Sequence, residues 1–330
     1  MRVGLDVGGT KTDAVAVSPS GEIIARVRLA TGWGAEAAVA TVLRAVDVLG
    51  REVSVREWET GEAPLRAAQI TSVGIGIPGQ VEPGTTRVLH AVNLGIDELD
   101  LGAAVAPALG VPVRVENDVK AAALGASVLA GTSTRSMAYL NLGTGVAAGI
   151  VTGGVLWRGS RGTAGEVGHI SIDPRGPLCR CGQHGCIEAL SGGAAIAERW
   201  GRPGALPVRD VFDAADAGDR AALGLRAGLS RGVAAAVRML VLTVDVDMVV
   251  LGGGITALGE RLAGDVRRAL REDAAASPFM RSLRLDERFE LLPAGSPAAA
   301  FGAALVGATR DPAPSHPATY RDTQGARSHG

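Results

Sequence analysis

The chain has 330 residues, 47% of them hydrophobic but only 3% aromatic, enough for roughly two domains with cores of Val, Leu, Ile and Ala. Lys and Arg total 33 against 34 Asp and Glu, so a net charge of −1 provides no summed field to draw nucleic acid or an acidic membrane. The start, MRVGLDVGGTK, lacks the apolar run of a signal peptide, and Asp245 and Asp247 interrupt the longest apolar stretch, so no membrane span and a cytoplasmic location are expected.

RVGLDVGGTK at 2–11 is a β-branched run ending in a glycine turn, which predicts a buried strand and a loop whose backbone closely approaches a ligand. Gly8 and Gly9 leave backbone N–H groups free for phosphate oxygens, Thr10 and Lys11 add donors, and Asp6 suits a water-bridged Mg²⁺. A plain β-hairpin explains the glycines but not Asp6, Thr10 and Lys11. Neither GxxxxGK[ST] nor GxGxxG occurs at this site. An Ala-rich helix is expected near 35–50.

Between VPVRV and VKAAALGASVLAG stand Glu116, Asn117 and Asp118. They read either as ordinary helix caps or, for Asp118, as a general base that accepts a hydroxyl proton late in phosphoryl transfer. A helix N-terminus is expected to lower the pKa of Asp118. MAYLNLGTGV at 137–146 lays over the first segment as strand, glycine turn, strand, turn, strand. This internal repeat predicts two related α/β halves facing one cleft, and it adds weight to Gly143, Thr144 and Gly145 as a second phosphate loop, which alone read equally as a plain turn.

All three cysteines fall in GEVGHISIDPRGPLCRCGQHGCIE, from Gly165 to Glu188. Cys179, Cys181 and Cys186 in a reducing compartment are a soft-ligand cluster for tetrahedral Zn²⁺, with His169 or His184 as the fourth ligand, and spacing does not choose between them. A site closed by four protein ligands is structural; it pins a loop bearing Glu166 and Glu188, and it excludes a zinc-dependent hydrolase. A helix is expected from about Arg231 to Leu242. MVVLGGGI at 248–255 is a third strand and glycine turn, whose Gly252, Gly253 and Gly254 suit a nucleotide lying over bare backbone. PAAAFGAALVGA at 297–308 predicts a helix with Ser296 as N-cap and Pro297 in the first helical position. Residues 312–330 are polar and proline-containing and are expected to be a disordered tail.

Taken together, DVGGTK at 6–11, IPGQV at 77–81, AVNLG at 91–95, END at 116–118, LGTG at 142–145, GEVGH at 165–169, CRCGQHGCIE at 179–188 and LGGGI at 251–255 resemble the ROK family of sugar kinases and sugar-responsive repressors. The resemblance covers about residues 3–308 and keeps the family's motif order. It implies an α/β, actin-like (ribonuclease H-like) two-domain sugar kinase fold with a structural zinc site. Residues 1–118, completed by a helix at 297–311, would form the small domain, and residues 119–296 the large one. Asp118 would be the catalytic base toward the C6 hydroxyl of a sugar held by Gly79, Asn93, Asn117, Asp118, Glu166, His169 and Glu188. His169 would join Cys179, Cys181 and Cys186 on zinc and turn its other ring nitrogen to the sugar. Asp6, Gly8, Gly9, Thr10, Lys11, Gly143, Thr144 and Gly145 would serve the phosphates of Mg-ATP, and Gly252, Gly253 and Gly254 the adenosine.

The resemblance further implies a homodimer or homotetramer. One departure is GTGVAAGI, where Ala147 and Ala148 replace glycines common in the family and leave nucleotide affinity open. The family's repressors carry a winged helix-turn-helix before the first strand; here that strand begins at residue 3, so a kinase is expected over a sugar-sensing regulator. CGQHGCIE followed by LSG is closer to the family's N-acetylglucosamine kinases, with glucose as the alternative substrate.

Overall fold

In the computed structural model, alternation of apolar and small residues builds the meander Arg2–Val7 (β1), Lys11–Val17 (β2) and Ile23–Ala30 (β3). The structure describes residues 1–60, 70–132 and 135–308, side chains at 55–60 excepted, so the expected tail at 312–330 lies outside the described residues. Next come Ala35–Thr60 (α1), Ser72–Ile77 (β4), a small sheet of Gln80–Val81 (β5), Arg87–Ala91 (β6) and Ile96–Asp100 (β7), then Leu101–Leu109 (α2) and Val113–Asn117 (β8). The first large sheet has the order β3-β2-β1-β4-β8, with β2 antiparallel to its neighbours and β1, β4 and β8 parallel.

Asp118–Leu129 (α3) leads into Ser136–Leu142 (β9), Val146–Thr152 (β10) and Val155–Trp157 (β11). The helices Ile187–Ser191 (α4), Gly193–Trp200 (α5), Pro207–Asp216 (α6) and Arg220–Val244 (α7) precede Met248–Gly252 (β12). Glu260–Ala274 (α8), Pro278–Ser282 (α9), Phe289–Leu291 (β13) and Ala298–Ala308 (α10) complete the order. The second sheet, β11-β10-β9-β12-β13, repeats the strand order and directions of the first.

Three helices differ from expectation, of which α1 runs on to Thr60, past the expected end near residue 50. α7 starts at Arg220, not near Arg231, because Asp219 caps it through the N–H groups of Ala221 and Ala222 at 2.9 and 3.0 Å. Its face of Ala222, Leu225, Leu229 and Val233 enters the second core. Among the described residues α7 is the one helix long and apolar enough to cross a membrane, and 61% of its apolar window is buried inside the protein. α10 begins one residue late, with the Pro297 carbonyl accepting the Phe301 N–H at 2.8 Å.

The sheets meet through α3 and α10. Helix α10 lies on the first sheet, where a Cβ on Gly4 or Gly74 would overlap the carbonyl oxygens of Ala300 and Ala303. The two helices cross where a Cβ on Gly125 or Gly302 would overlap the carbonyl oxygens of Ala298 and Ala121. Backbone rests on backbone, so these glycines answer to packing. Gly302→Val is expected to cost about 3 kcal/mol or more by overpacking. Gly224→Ala, in α7 with nothing within 4 Å of its Cβ position, should stabilise by about 0.5–1 kcal/mol. Urea unfolding of both variants checks the contrast.

Candidate active site

Strand β8 ends at Asn117, which caps α3: its Oδ1 accepts the Lys120 N–H at 3.1 Å, and its Nδ2 donates to the Gly79 carbonyl at 3.1 Å. Capping by Asn117 leaves Asp118 on the cleft wall, half-buried, with Oδ1 accepting the Val119 N–H at 2.9 Å. The expected lowering of its pKa does not occur. Burial outweighs the N–H groups of Val119 and of Asp118 itself, the charge of Glu166 adds to it, and the carboxyl is held above its ordinary range.

Asp6 is the penultimate residue of β1, which β4 separates from β8 in the sheet. Burial, then the charges of Asp118 and Asp13, push it up to about 7 against the opposing Lys11. The 8–10 segment is a β1–β2 hairpin turn, closed by Gly8 N–H to the Lys11 carbonyl at 3.0 Å, so the bland reading holds for its backbone. Gly9 backs onto the Asn93 loop, where a Cβ would come 2.8 Å from the Asn93 carbonyl oxygen.

On the other side, the Gly143-Thr144-Gly145 turn is strapped to the start of α5 by the N–H groups of Gly193 and Ala194, at 2.9 and 3.0 Å. Glu188 Oε2 accepts the Val146 N–H at 2.9 Å and lies 2.5 Å from where a Gly145 Cβ would stand. Ala148 is buried, its N–H bonded to the Gly165 carbonyl at 2.7 Å, while Ala147 lines the cleft; both follow the turn. Gly252 is required by Tyr139, whose ring and hydroxyl fill its Cβ position, and Gly253, at φ 92°, by the Leu142 carbonyl; Gly254 alone of the three faces open space.

The cysteine segment forms a knuckle held by Cys179 N–H to the Gln183 carbonyl at 2.7 Å and Gly182 N–H to the Cys179 carbonyl at 2.9 Å. The donor atoms of His169, Cys179, Cys181 and Cys186 lie within 4.8 Å of one another. Cys181 and Cys186 sulfurs are 3.6 Å apart, and Cys179 Sγ is 3.9 Å from His169 Nδ1. A tetrahedral zinc with Zn–S near 2.3 Å has ligand–ligand edges of about 3.8 Å, so the donor set fits that ion. His184 is engaged elsewhere, its Nδ1 3.0 Å from the Gly176 carbonyl.

A cleft of about 1500 Å³ gathers Gly79, Asn93, Asn117, Asp118, Glu166, His169 and Glu188 along its walls, with Gly145 at one end. Asp6, Gly8, Gly9, Thr10, Lys11, Gly143, Thr144 and Gly252 to Gly254 are not among its lining residues. Sequence reasoning missed Arg158, whose Nε donates to Glu116 Oε2 at 2.6 Å, because an arginine in a glycine-rich loop carries no spacing signal. It also missed Tyr139, 5% exposed beneath Gly252; alternation marks it only as a strand residue.

Paired sheets of one topology, with a polar cleft that has a carboxylate at a helix start and a thiol knuckle beside it, define the class as a two-sheet α/β protein. The ROK family model matches residues 2–308, and the chain belongs to the ROK family. It is 31% identical to a glucokinase of Halalkalibacterium halodurans over 284 residues, covering 81% of this chain and 84% of that one. It is 33% identical to an N-acetylmannosamine kinase of Yersinia pseudotuberculosis over 256 residues, covering 76% and 82%. The crystal structure of a ROK family glucokinase from Streptomyces griseus, in complex with glucose and AMPPNP, superposes with a TM-score of 0.73 at 28% identity, covering 93% and 98%. The fold is the α/β fold of the ROK sugar kinases.

The raised pKa of Asp6 has a stability consequence. Between its unfolded value near 4 and its folded value of about 7 the native state holds the proton more tightly, so stability falls as pH rises through that window. Asp6→Asn removes this loss and should gain up to about 4 kcal/mol over the parent at pH 8 and much less near pH 5. Thermal melts at both pH values, without divalent cations or nucleotide, check the sign.

Proposed function

We propose that this chain is an ATP-dependent sugar kinase that transfers the γ-phosphoryl group of Mg-ATP to the C6 hydroxyl of N-acetylglucosamine or a related aldohexose. The observation that carries the reading is Asp118: a half-buried carboxyl at the wall of a cleft shared with Asn117, Glu166, His169 and Glu188. Relatives named for glucose and N-acetylmannosamine phosphorylation support the class, and glucose is the alternative substrate.

Asp118 accepts the hydroxyl proton as the sugar oxygen attacks. A loose transition state asks little basicity of it, and burial, with the charge of Glu166 adding to it, raises that basicity above an ordinary carboxylate's. Asn117, Glu166, His169 and Glu188 orient the sugar by its hydroxyls, with Gly79 and Asn93 closing the pocket. Thr10, Lys11 and the 143–145 loop offer donors to phosphate oxygens, and Gly254 leaves space for the nucleoside. Asp6, half-buried with its proton affinity raised, suits a water-bridged cation; Mg²⁺ when bound neutralises developing phosphate charge. Zinc on His169, Cys179, Cys181 and Cys186 would be structural, and the matching strand orders support an internal repeat dividing the chain at residue 118, with α10 returning to the first half.

A coupled ATP-consumption assay across glucose, N-acetylglucosamine, N-acetylmannosamine, mannose and fructose should show selective turnover. Asp118→Asn should reduce it by about a thousandfold while calorimetry still detects sugar binding. Silence on every sugar with binding intact would move the reading to a sensor. Cys181→Ser should lose zinc by elemental analysis and raise the sugar KM together; metal loss at an unchanged KM would refute the clamp.

A further inference from the structure

Glu116 precedes the Asn117-Asp118 junction at the cleft wall, and each of its carboxylate oxygens is bonded within the protein. It is 5% exposed; Oε1 accepts the Asn117 N–H at 3.0 Å and Oε2 the Arg158 Nε at 2.6 Å. A carboxylate so buried persists only when its oxygens are paired. Glu116 is at the end of β8, on the open edge of the first sheet, whereas Arg158 follows β11 on the edge of the second. The ion pair therefore spans the two sheets at the cleft.

Each end is tied to groups already placed at the sugar. On the Glu116 side, the bonded N–H belongs to Asn117, whose side chain holds Gly79 and caps the helix that begins with Asp118. On the Arg158 side, its carbonyl accepts the Ala164 N–H at 3.2 Å, closing a turn that runs directly into Gly165 and Glu166. That turn also approaches the small sheet, where a Cβ on Gly162 would stand 3.5 Å from the Val81 carbonyl oxygen.

From this geometry we infer that Arg158 is a positioning residue: through Glu116 it fixes the register between the Asn117-Asp118 junction and the Glu166 loop, so that both meet the same sugar. The inference rests on the sugar-kinase reading. The nucleotide loops at 8–11 and 143–145 share none of these bonds, so the effect falls on the sugar and not on ATP.

Arg158→Ala strands a buried carboxylate and could simply unfold, so the decisive variant is the double change Arg158→Met with Glu116→Gln. It removes both charges, keeps comparable shape and leaves an amide oxygen for the Asn117 N–H. The expected result is a melting temperature near the parent's, a sugar KM raised about tenfold or more, and an ATP KM changed less than about twofold. Arg158→Lys, which retains a charge but not the Nε geometry, should fall between. A double variant with parental melting temperature and parental sugar KM overturns the inference, as does an equal rise in both KM values. If the parent neither binds nor turns over any sugar in the panel, the kinase reading fails first and takes this inference with it.

Discussion

Everything in the cleft depends on one close approach: helices α3 and α10 cross with carbonyl oxygens where side chains would otherwise stand, at Gly125 and Gly302. α10 is seated on the first sheet by similar contacts at Gly4 and Gly74, and α3 on the second at Gly149, so at these points helix and strand approach with little side chain between them. Such contacts leave no flexible side chain to take up an error. The same helix α3 starts with Asp118, so the packing that joins the halves also places the proposed base. The ends of the parallel strands β1, β8, β9 and β12 deliver Asp6, Asn117, the 143–145 turn and the 252–254 turn, as parallel α/β sheets commonly do at strand carboxyl ends.

The thiol knuckle acts at a distance from its own donors. Cys186 immediately precedes α4, and the second residue of that short helix is Glu188, whose carboxylate bonds the Val146 N–H and occupies the space over Gly145. One oxygen of Glu188 thus holds the phosphate-loop candidate while the group as a whole lines the sugar cleft. Order in the knuckle passes to both proposed substrates through a single side chain.

Much of this was legible in residues whose chemistry is unusual for their surroundings. The clustered cysteines and the strand and glycine-turn repeats stood out because packing alone does not call for them, whereas the END junction read equally as ordinary helix caps. The choice of His169 over His184 was not legible from spacing, since it depends on the Gly176 carbonyl engaging His184 after the chain folds back. Nor was the meaning of each glycine. Gly145 answers to Glu188, Gly252 to Tyr139 and Gly9 to the Asn93 loop, contacts between segments far apart in the chain. The N-terminal extension of α7 was hidden because glycines and arginines break its apolar pattern, although Asp219 is a strong cap. The pKa direction of Asp118 was misjudged for a related reason: a helix end is a local feature, while burial and Glu166 are tertiary ones, and the tertiary terms prevail.

Asp6, Asp118 and Glu166 form a group of carboxyls whose mutual repulsion the fold tolerates. Asp118 raises Asp6, Glu166 raises Asp118, and burial adds to both. Lys11 and Lys120 oppose this only in part. A protein selected for stability alone would neutralise such a site with amides. Retaining the carboxyls keeps groups able to meet a cation or accept a hydroxyl proton, as the proposed kinase reaction requires, at a cost in stability.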